Sequence, residues 1–274
     1  MQNIDPLYIL EPAIVNAITI ALILYWRHSG RKFTRYDLIF SLIAYAGAIL
    51  LKVIFQLLTV NAAISTFGSE SVATGLYYGL QTVIFEVGGA YVVARYAVSR
   101  GRFTEKDAGA YGISLAFWEN GVYLGLFSLI SVVSIYAVIA TGPPAAAQDV
   151  YNALLKSESS LFSPPAVALP QVALGILERI SSIILHSAWG YVVVLAAVYK
   201  RNHYLYAALP MGLVDFFVPF VNIFGETLFE GIVFLFSLAG LLIAFSISRE
   251  LPKQSPSEEL QQSPPGTSAP ASSP

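Results

Sequence analysis

Four proton-exchanging side chains lie near the middle of four separate apolar segments of the sequence: Glu86, Glu119, His186 and Asp215. Each stands 10 to 13 residues from one end of its segment. That end is the one near which Lys and Arg accumulate, which is typical of the cytoplasmic side. At about 1.5 Å per helical residue, all four lie roughly 15–20 Å from that boundary. An ionisable group at such a depth costs about 2.5–3.5 kcal/mol on insertion scales, so we interpret the four as functional.

These residue types in one plane are typical of acid and base catalysis of hydrolysis. Two carboxylates that approach each other in a low dielectric do not both ionise cheaply, so one keeps a proton while the other acts as a base. A neighbouring imidazole can donate to a developing oxyanion or orient the attacking water. We therefore predict Glu119, Glu86 and His186 as catalytic residues and Asp215 as a supporting one. A structural polar network that only joins helices is the alternative.

Three more polar residues are candidates for substrate binding, oxyanion binding or structural support. Asn120 follows Glu119 and points about 100° away around the helix, whereas Tyr123 is one turn on and shares the face of the glutamate. Arg179 is seven residues before His186 and shares its face. It is placed to hold a carboxylate in its charged form or to bind a substrate carbonyl. A structural salt bridge that involves Glu178 is the alternative.

The composition excludes several classes of function. Of the 274 residues, 56% are hydrophobic and 12% are charged, whereas an ordinary soluble domain has about 25% charged residues. The 15 Lys and Arg against 17 Asp and Glu give a net charge of -2, which argues against a nucleic-acid partner. The chain has no cysteine, which excludes disulfides and thiolate chemistry. With 3 histidines we expect no cofactor and no required metal; a zinc ion held by glutamates and one histidine is a lesser alternative.

Long apolar blocks must position these residues, and they predict an all-α, polytopic membrane helix bundle. A hydrocarbon core about 30 Å thick needs roughly 20 apolar helical residues. Seven blocks reach about that length: 6–26, 36–60, 73–98, 109–139, 168–199, 204–222 and 227–248. Residues 1–249 are therefore predicted to form a transmembrane helical domain of a multi-pass protein of the cell membrane, with the lipid bilayer as its partner.

The distribution of Lys and Arg predicts the orientation, because these residues accumulate in short cytoplasmic loops. With seven spans, 12 basic residues fall on one side and only Lys156 falls on the other. This predicts an N-terminus outside and a C-terminus inside. Residues 250–274 are rich in Pro, Ser and Gln without an apolar run, so they are predicted to form a disordered cytoplasmic tail.

One segment resembles a known family. The stretch 109–124, GAYGISLAFWENGVYL, is similar to the G-x-G-F-A-x-x-E-N-x-x-Y signature of PrsW-type membrane proteases. Arg179 followed by His186 and the sequence SAWG is similar to their R…H-A-x-W-G element, and Glu86 in a Phe-Glu pair resembles the first glutamate motif of PrsW and the related YhfC proteins. The resemblance implies a glutamate-dependent intramembrane protease in which Glu119, Glu86 and His186 serve the attack of water on a peptide bond.

The chain departs from the family pattern at two places. The first motif normally carries a Glu-Glu pair, but here Glu86 is followed by Val87. The last motif has a histidine one turn before an Asn or Asp, and Met211 stands in that place before Asp215. If that histidine serves as an oxyanion donor, its loss costs roughly 3–4 kcal/mol of transition-state stabilisation.

Three functions remain open at this point. The first is an intramembrane endopeptidase that acts on a transmembrane peptide or protein substrate. The second is a catalytically inactive relative that binds a membrane partner through the same cavity, which Met211 favours. The third is a proton-coupled transporter, since coplanar Glu, His and Asp also suit a proton relay, although the sequence shows no repeat of the kind typical of transporters.

Overall fold

The computed structural model describes residues 6–157 and 162–251. Within these ranges the chain is 90% helical and has no strand, which confirms the all-α prediction. Most of the predicted tail, residues 252–274, lies outside the described residues. Its disorder therefore stays a prediction.

The architecture is a bundle of long helices, several of which change their helical type along their length. The α-helices are α1 (Leu10–His28), α2 (Arg35–Phe67), α3 (Val72–Gln81), α4 (Gly88–Ser99), α5 (Ala108–Ala116), α6 (Ser128–Thr141), α7 (Pro144–Ser157), α8 (Pro165–Tyr199), α9 (Asn202–Ala208), α10 (Val221–Phe224) and α11 (Glu226–Arg249). A first π-helical segment, Thr82–Val87, joins α3 to α4, and a second, Phe117–Phe127, joins α5 to α6. A 3-10 segment, Leu209–Phe220, follows α9.

Among the described residues, six helical runs are long and apolar enough to cross a membrane. They are Pro6–His28, Arg35–Phe67, Glu105–Thr141, Pro165–Tyr199, Asn202–Phe224 and Glu226–Arg249. The predicted third block forms one continuous run from α3 through the first π segment to α4, but it is not among the six. Its hydropathy is lowered by glycines and by Gln81, Glu86 and Arg95. A seventh span and the orientation of the termini therefore stay predictions.

The helix starts follow from local capping. At the start of α2, Thr34 accepts a hydrogen bond from the backbone N–H of Tyr36, and Asp37 accepts one from the backbone N–H of Thr34 (2.6 Å). This capping box satisfies backbone donors that a helix start otherwise leaves free. Thr104 and Asp107 repeat the arrangement before α5. Because Lys32 reaches Asp107 (2.8 Å), the loop before α2 is tied to the start of α5.

The helix α8 is the centre of the bundle. Of its most apolar stretch, 72% is buried, compared with 6–28% for the other five candidate spans. It packs against α4, α5, α9 and α11. Its contact with α5 is at backbone level, because a Cβ atom at Gly190 would lie 2.5 Å from the Cα atom of Gly112. Glycine at both positions therefore permits the approach of the two helices.

The predicted sixth block is helical, but most of it is a 3-10 segment rather than an α-helix. Pro210 and Pro219 lie in this segment. Proline lacks the N–H that an α-helix needs and clashes with the preceding turn, so a helix that contains proline is locally distorted. The segment packs against α3 and the first π segment. The approach is close, because a Cβ atom at Gly212 would lie 2.8 Å from the Cα atom of Val83. This packing brings Asp215 to the inside of the bundle.

Candidate functional site

Seven ionisable side chains from five helical elements line one cavity, and Glu178 and Arg179, both on α8, are two of them. Glu86 is on the first π segment, Glu119 on the second, His186 in the middle of α8, Asp215 on the 3-10 segment and Lys52 in the middle of α2. The cavity has a volume of about 160 Å³, which is enough for several water molecules. The four residues that the sequence places at a similar depth in the membrane, Glu86, Glu119, His186 and Asp215, all line this cavity.

Both glutamates lie on π-helical segments, which are rare in proteins and frequent at functional sites. The wider turn of a π-helix changes the direction in which the following side chains point. Glu86 is buried, with 9% of its side chain exposed, and Glu119 is largely buried, with 17% exposed. The two unusual backbone segments thus hold the two carboxylates inside the bundle.

The two carboxylates and the imidazole meet at one point. The Nε2 atom of His186 lies 2.5 Å from Oε2 of Glu119 and 3.5 Å from Oε2 of Glu86. One ligand atom from each of these three residues lies within 4.8 Å of the others. The distance between His186 and Glu119 is that of an ion pair, but neither atom makes a hydrogen bond of acceptable geometry in the structure. Both atoms therefore point toward a shared space rather than along a hydrogen bond.

The other ring nitrogen of His186 orients the imidazole. Its Nδ1 atom lies 2.9 Å from the backbone carbonyl oxygen of Ser182. A carbonyl oxygen only accepts, so Nδ1 carries the hydrogen and a neutral ring presents a bare lone pair at Nε2. A lone pair 2.5 Å from a carboxylate oxygen of Glu119 is repulsive unless a proton or a cation stands between them. Histidines that bind metals commonly have this arrangement, with the second nitrogen held by a carbonyl.

Lys52 organises the opposite wall of the cavity. Its Nζ atom donates to Oε1 of Glu86 (2.6 Å), Oδ2 of Asp215 (2.7 Å) and Oγ1 of Thr82 (2.7 Å). Thr82 also donates to Asp215 (2.5 Å). One cation therefore lies between two carboxylates, and this arrangement offsets the cost of placing them away from water. It also anchors one oxygen of Glu86 while the other faces His186.

Of the three predicted supporting residues other than Asp215, one contacts the histidine segment, one lines the cavity and one lies beside it. Asn120 is fully buried and donates to Oγ of Ser182 (3.0 Å). Arg179 lines the cavity and pairs with Glu178, its neighbour on α8. Tyr123 is half-exposed and packs against Tyr45 with ring centroids 6.4 Å apart, without lining the cavity. Their roles in binding substrate stay predictions.

Met211, which stands in the place of the family's last histidine, does not line the cavity. Its side chain is 2% exposed and belongs to the main hydrophobic core. His186 is consequently the one imidazole among the cavity-lining residues in the described part of the chain.

The residue types alone did not place Lys52, Thr82 and Ser182 in the site. The sequence did signal that Lys52 needs an acidic partner, because a lysine in an apolar block is costly without one. Thr82 and Ser182 stand four residues before Glu86 and His186, and a spacing of four puts two residues on one helix face. A search for hydroxyl residues one turn from each candidate would have found both.

The fold and the site define a class: a multi-pass, all-helical integral membrane protein with an acid and imidazole centre inside the bundle. A family model described as YhfC intramembrane metalloprotease matches residues 14–234, which is well over half of the chain. The chain belongs to the YhfC intramembrane metalloprotease family, and this confirms the resemblance seen in the sequence. No curated protein and no solved structure is significantly similar to it.

Proposed function

We propose that this protein is an intramembrane endopeptidase that hydrolyses a peptide bond of a membrane-embedded substrate. The observation that carries the proposal is the convergence of Glu86, Glu119 and Nε2 of His186 on one buried cavity with room for water. Family membership supports the same reaction class.

The contacts of the residues support distinct roles. Glu119 contacts His186, whereas Glu86 is additionally held by Lys52. Glu119 is accordingly the residue that takes a proton from the attacking water, with Nε2 of His186 as its neighbour in the proton transfer. Lys52 uses its three N–H groups on Glu86, Asp215 and Thr82, so its role is to position Glu86 and not to contact the substrate.

The site residues also fit the metal that the family description implies. Glu86, Glu119 and His186 would hold it, and Glu119 and His186 would then act as ligands instead of as proton-transfer groups, since two carboxylates and one imidazole are ligands that zinc accepts and a catalytic zinc site commonly has three protein ligands. The convergence of Oε2 of both glutamates on Nε2 of His186, and the carbonyl group beside the second imidazole nitrogen, favour this arrangement. When bound, such an ion acts as a Lewis acid that polarises a carbonyl group and makes water easier to deprotonate.

Cleavage of a transmembrane reporter by the purified protein in proteoliposomes tests the proposal. Cleavage is expected to fall by roughly 10²- to 10⁴-fold in Glu119→Gln, because a positioned general base contributes that much, and His186→Ala is expected to be inactive. Asp149→Asn, at an exposed position of α7, is the matched control and should keep full activity. Equal cleavage by the wild type and both site variants would end the assignment.

Metal analysis of the same preparations adds a readout that does not depend on turnover. We expect a divalent ion in stoichiometric amount in the wild-type protein and in Asp149→Asn, and its loss in His186→Ala. Full activity of the wild type after removal of all metal would show that the site works with its own acid and base groups alone.

A catalytically inactive relative is the second candidate, favoured by the burial of Met211 in the core. It predicts that a membrane partner stays bound in Glu119→Gln and that no cleavage product forms with the wild type. A product that depends on Glu119 excludes it.

A further inference from the structure

An apolar groove runs along the outside of the bundle between α2 and α4. It has a volume of about 480 Å³. Small residues form much of its lining, including Ala44, Gly47, Ala48 and Gly89. A Cβ atom at Gly47 or Gly89 would meet no other atom within 4 Å, so the space above both glycines is open. Large exposed side chains flank this floor: Leu51, Ile84 and Val92.

The groove adjoins the catalytic cavity, separated from it by a narrow cleft that shares lining residues with both. Ala44 and Ala48 line both the groove and a narrow cleft behind it. Glu86, His186 and Trp189 line both this cleft and the catalytic cavity. The cleft has a volume of about 10 Å³, which is room for about one water molecule. A polypeptide on the groove thus lies next to the site, and a small displacement of α2 would open the path to it.

Two residues of the catalytic centre lie at the inner end of this cleft. The side chains of His186 and Glu86, 6% and 9% exposed, both line the cleft, and Nε2 of His186 lies 3.5 Å from Oε2 of Glu86. The cleft behind the groove therefore ends at residues proposed to carry out the reaction.

Resting on the proposed function, we propose that the groove docks the transmembrane segment of the protein substrate, with glycine or alanine on its docking face. Helices in membranes associate through small residues that let their backbones approach closely. The open glycines offer such a surface, and the part of α4 that lines the groove follows Glu86 directly in sequence. Docking here places a substrate helix beside the residues that cut it.

Binding of a labelled transmembrane peptide to the Glu119→Gln protein in nanodiscs tests the docking without any need for turnover. Gly47→Leu and Gly89→Leu fill the groove, and both favour the helix because leucine has the higher helix propensity. We expect each to weaken peptide binding about tenfold, which corresponds to about 1.4 kcal/mol. Gly231→Leu on α11 is the matched control, since its Cβ atom also meets open space but the residue lines neither groove nor cavity.

The outcomes separate the groove from the chemistry. Weaker binding in both groove variants and unchanged binding in the control support docking. This conclusion holds even if the wild type cuts no reporter, because that result contradicts only the proposed function. Equal affinities in the groove and control variants overturn the docking proposal. The docking proposal is also overturned if Gly47→Leu and Gly89→Leu release a labelled lipid from the groove without changing the affinity for the peptide. In that case the occupant of the groove is a lipid. If the wild type cuts the reporter, slower cutting by the groove variants with unchanged cutting of a short unstructured peptide supports docking.

Discussion

The two halves of α8 differ in how they are packed, although one continuous helix forms both. In the C-terminal half, every residue from Val192 to Ala197 is buried, and Gly190 touches α5 at backbone level. In the N-terminal half, Arg179, Ser182 and His186 line a cavity. The closely packed half is built from small and β-branched apolar residues, whereas the open half carries charges and unpartnered polar atoms.

This difference shows where the stability and the chemistry of the protein reside. His186 lies at the boundary, two residues before Ala188, where the closely packed run begins. Its backbone therefore continues into the closely packed segment, while its Nε2 atom faces the two glutamates of the cavity. Polar atoms such as Nε2 of His186 and Oε2 of Glu119 are costly to bury without partners. Functional sites commonly carry such costs, which packing elsewhere offsets.

The largest effect outside the reacting residues is expected at Lys52. Lys52→Met leaves Glu86 and Asp215 as uncompensated charges away from water, and breaking a buried ion pair costs about 3–5 kcal/mol. We expect a clear fall in the midpoint of thermal unfolding together with loss of reporter cleavage.

The double variant Lys52→Met, Asp215→Asn separates the two effects. Removing one of the stranded charges should recover part of the stability but not the cleavage, because Glu86 still lacks the cation that anchors one of its oxygens. Full recovery of cleavage would show that Lys52 only neutralises Asp215 and does not have to position Glu86.

In the closely packed half, Gly190→Ala should reduce stability while activity per folded molecule is kept. The added methyl group would lie 2.5 Å from the Cα atom of Gly112, so two helix backbones must separate. Overpacking of this kind costs about 1–3 kcal/mol. Thermal unfolding and reporter cleavage, measured on the same sample, check both parts.

Gly231→Ala is the control for that variant, because its methyl group enters open space. It should leave stability unchanged or slightly raised. If Gly190→Ala instead abolished cleavage without loss of stability, the division of α8 into a stabilising half and a catalytic half would be wrong.

Much of the fold could be predicted from the sequence, because membrane helices are defined by long apolar runs. The predicted block 227–248 and the observed α11, Glu226–Arg249, differ by a single residue at each end. The depth count also selected Glu86, Glu119, His186 and Asp215, which surround one cavity. Depth is readable from sequence because a helix rises by a fixed amount per residue.

The lateral arrangement of the helices was not readable in this way. Apolar periodicity does not say which helices are neighbours, so the pairing of Lys52 with Glu86 and Asp215 appears only in the structure. The π segments are also invisible to periodicity, since one widened turn changes the phase without changing the composition. For the same reason, the sequence placed Tyr123 on the helix face of Glu119 but did not indicate that Tyr123 packs against Tyr45.

The smallest expected effect is at Ser182, where the two halves of α8 meet. Its hydroxyl group lies 3.2 Å from Nδ1 of His186 and accepts a hydrogen bond from Asn120. Ser182→Ala removes these contacts but keeps the backbone carbonyl that holds Nδ1, so Nε2 still faces the two glutamates. A hydrogen bond of this kind contributes about 0.5–1.5 kcal/mol, and we expect reporter cleavage to fall a few-fold with metal content unchanged.

Ser181→Ala is the matched control for Ser182→Ala. The hydroxyl group of Ser181 is also buried and donates to the carbonyl oxygen of Leu177 on the same helix (2.9 Å), but the residue does not line the cavity. Both variants should lose similar stability, whereas only Ser182→Ala should slow cleavage. Equal cleavage rates in the two would show that the backbone carbonyl of Ser182 alone orients His186. The chemistry of the open half would then depend on the helix backbone more than on the side chains that surround the imidazole.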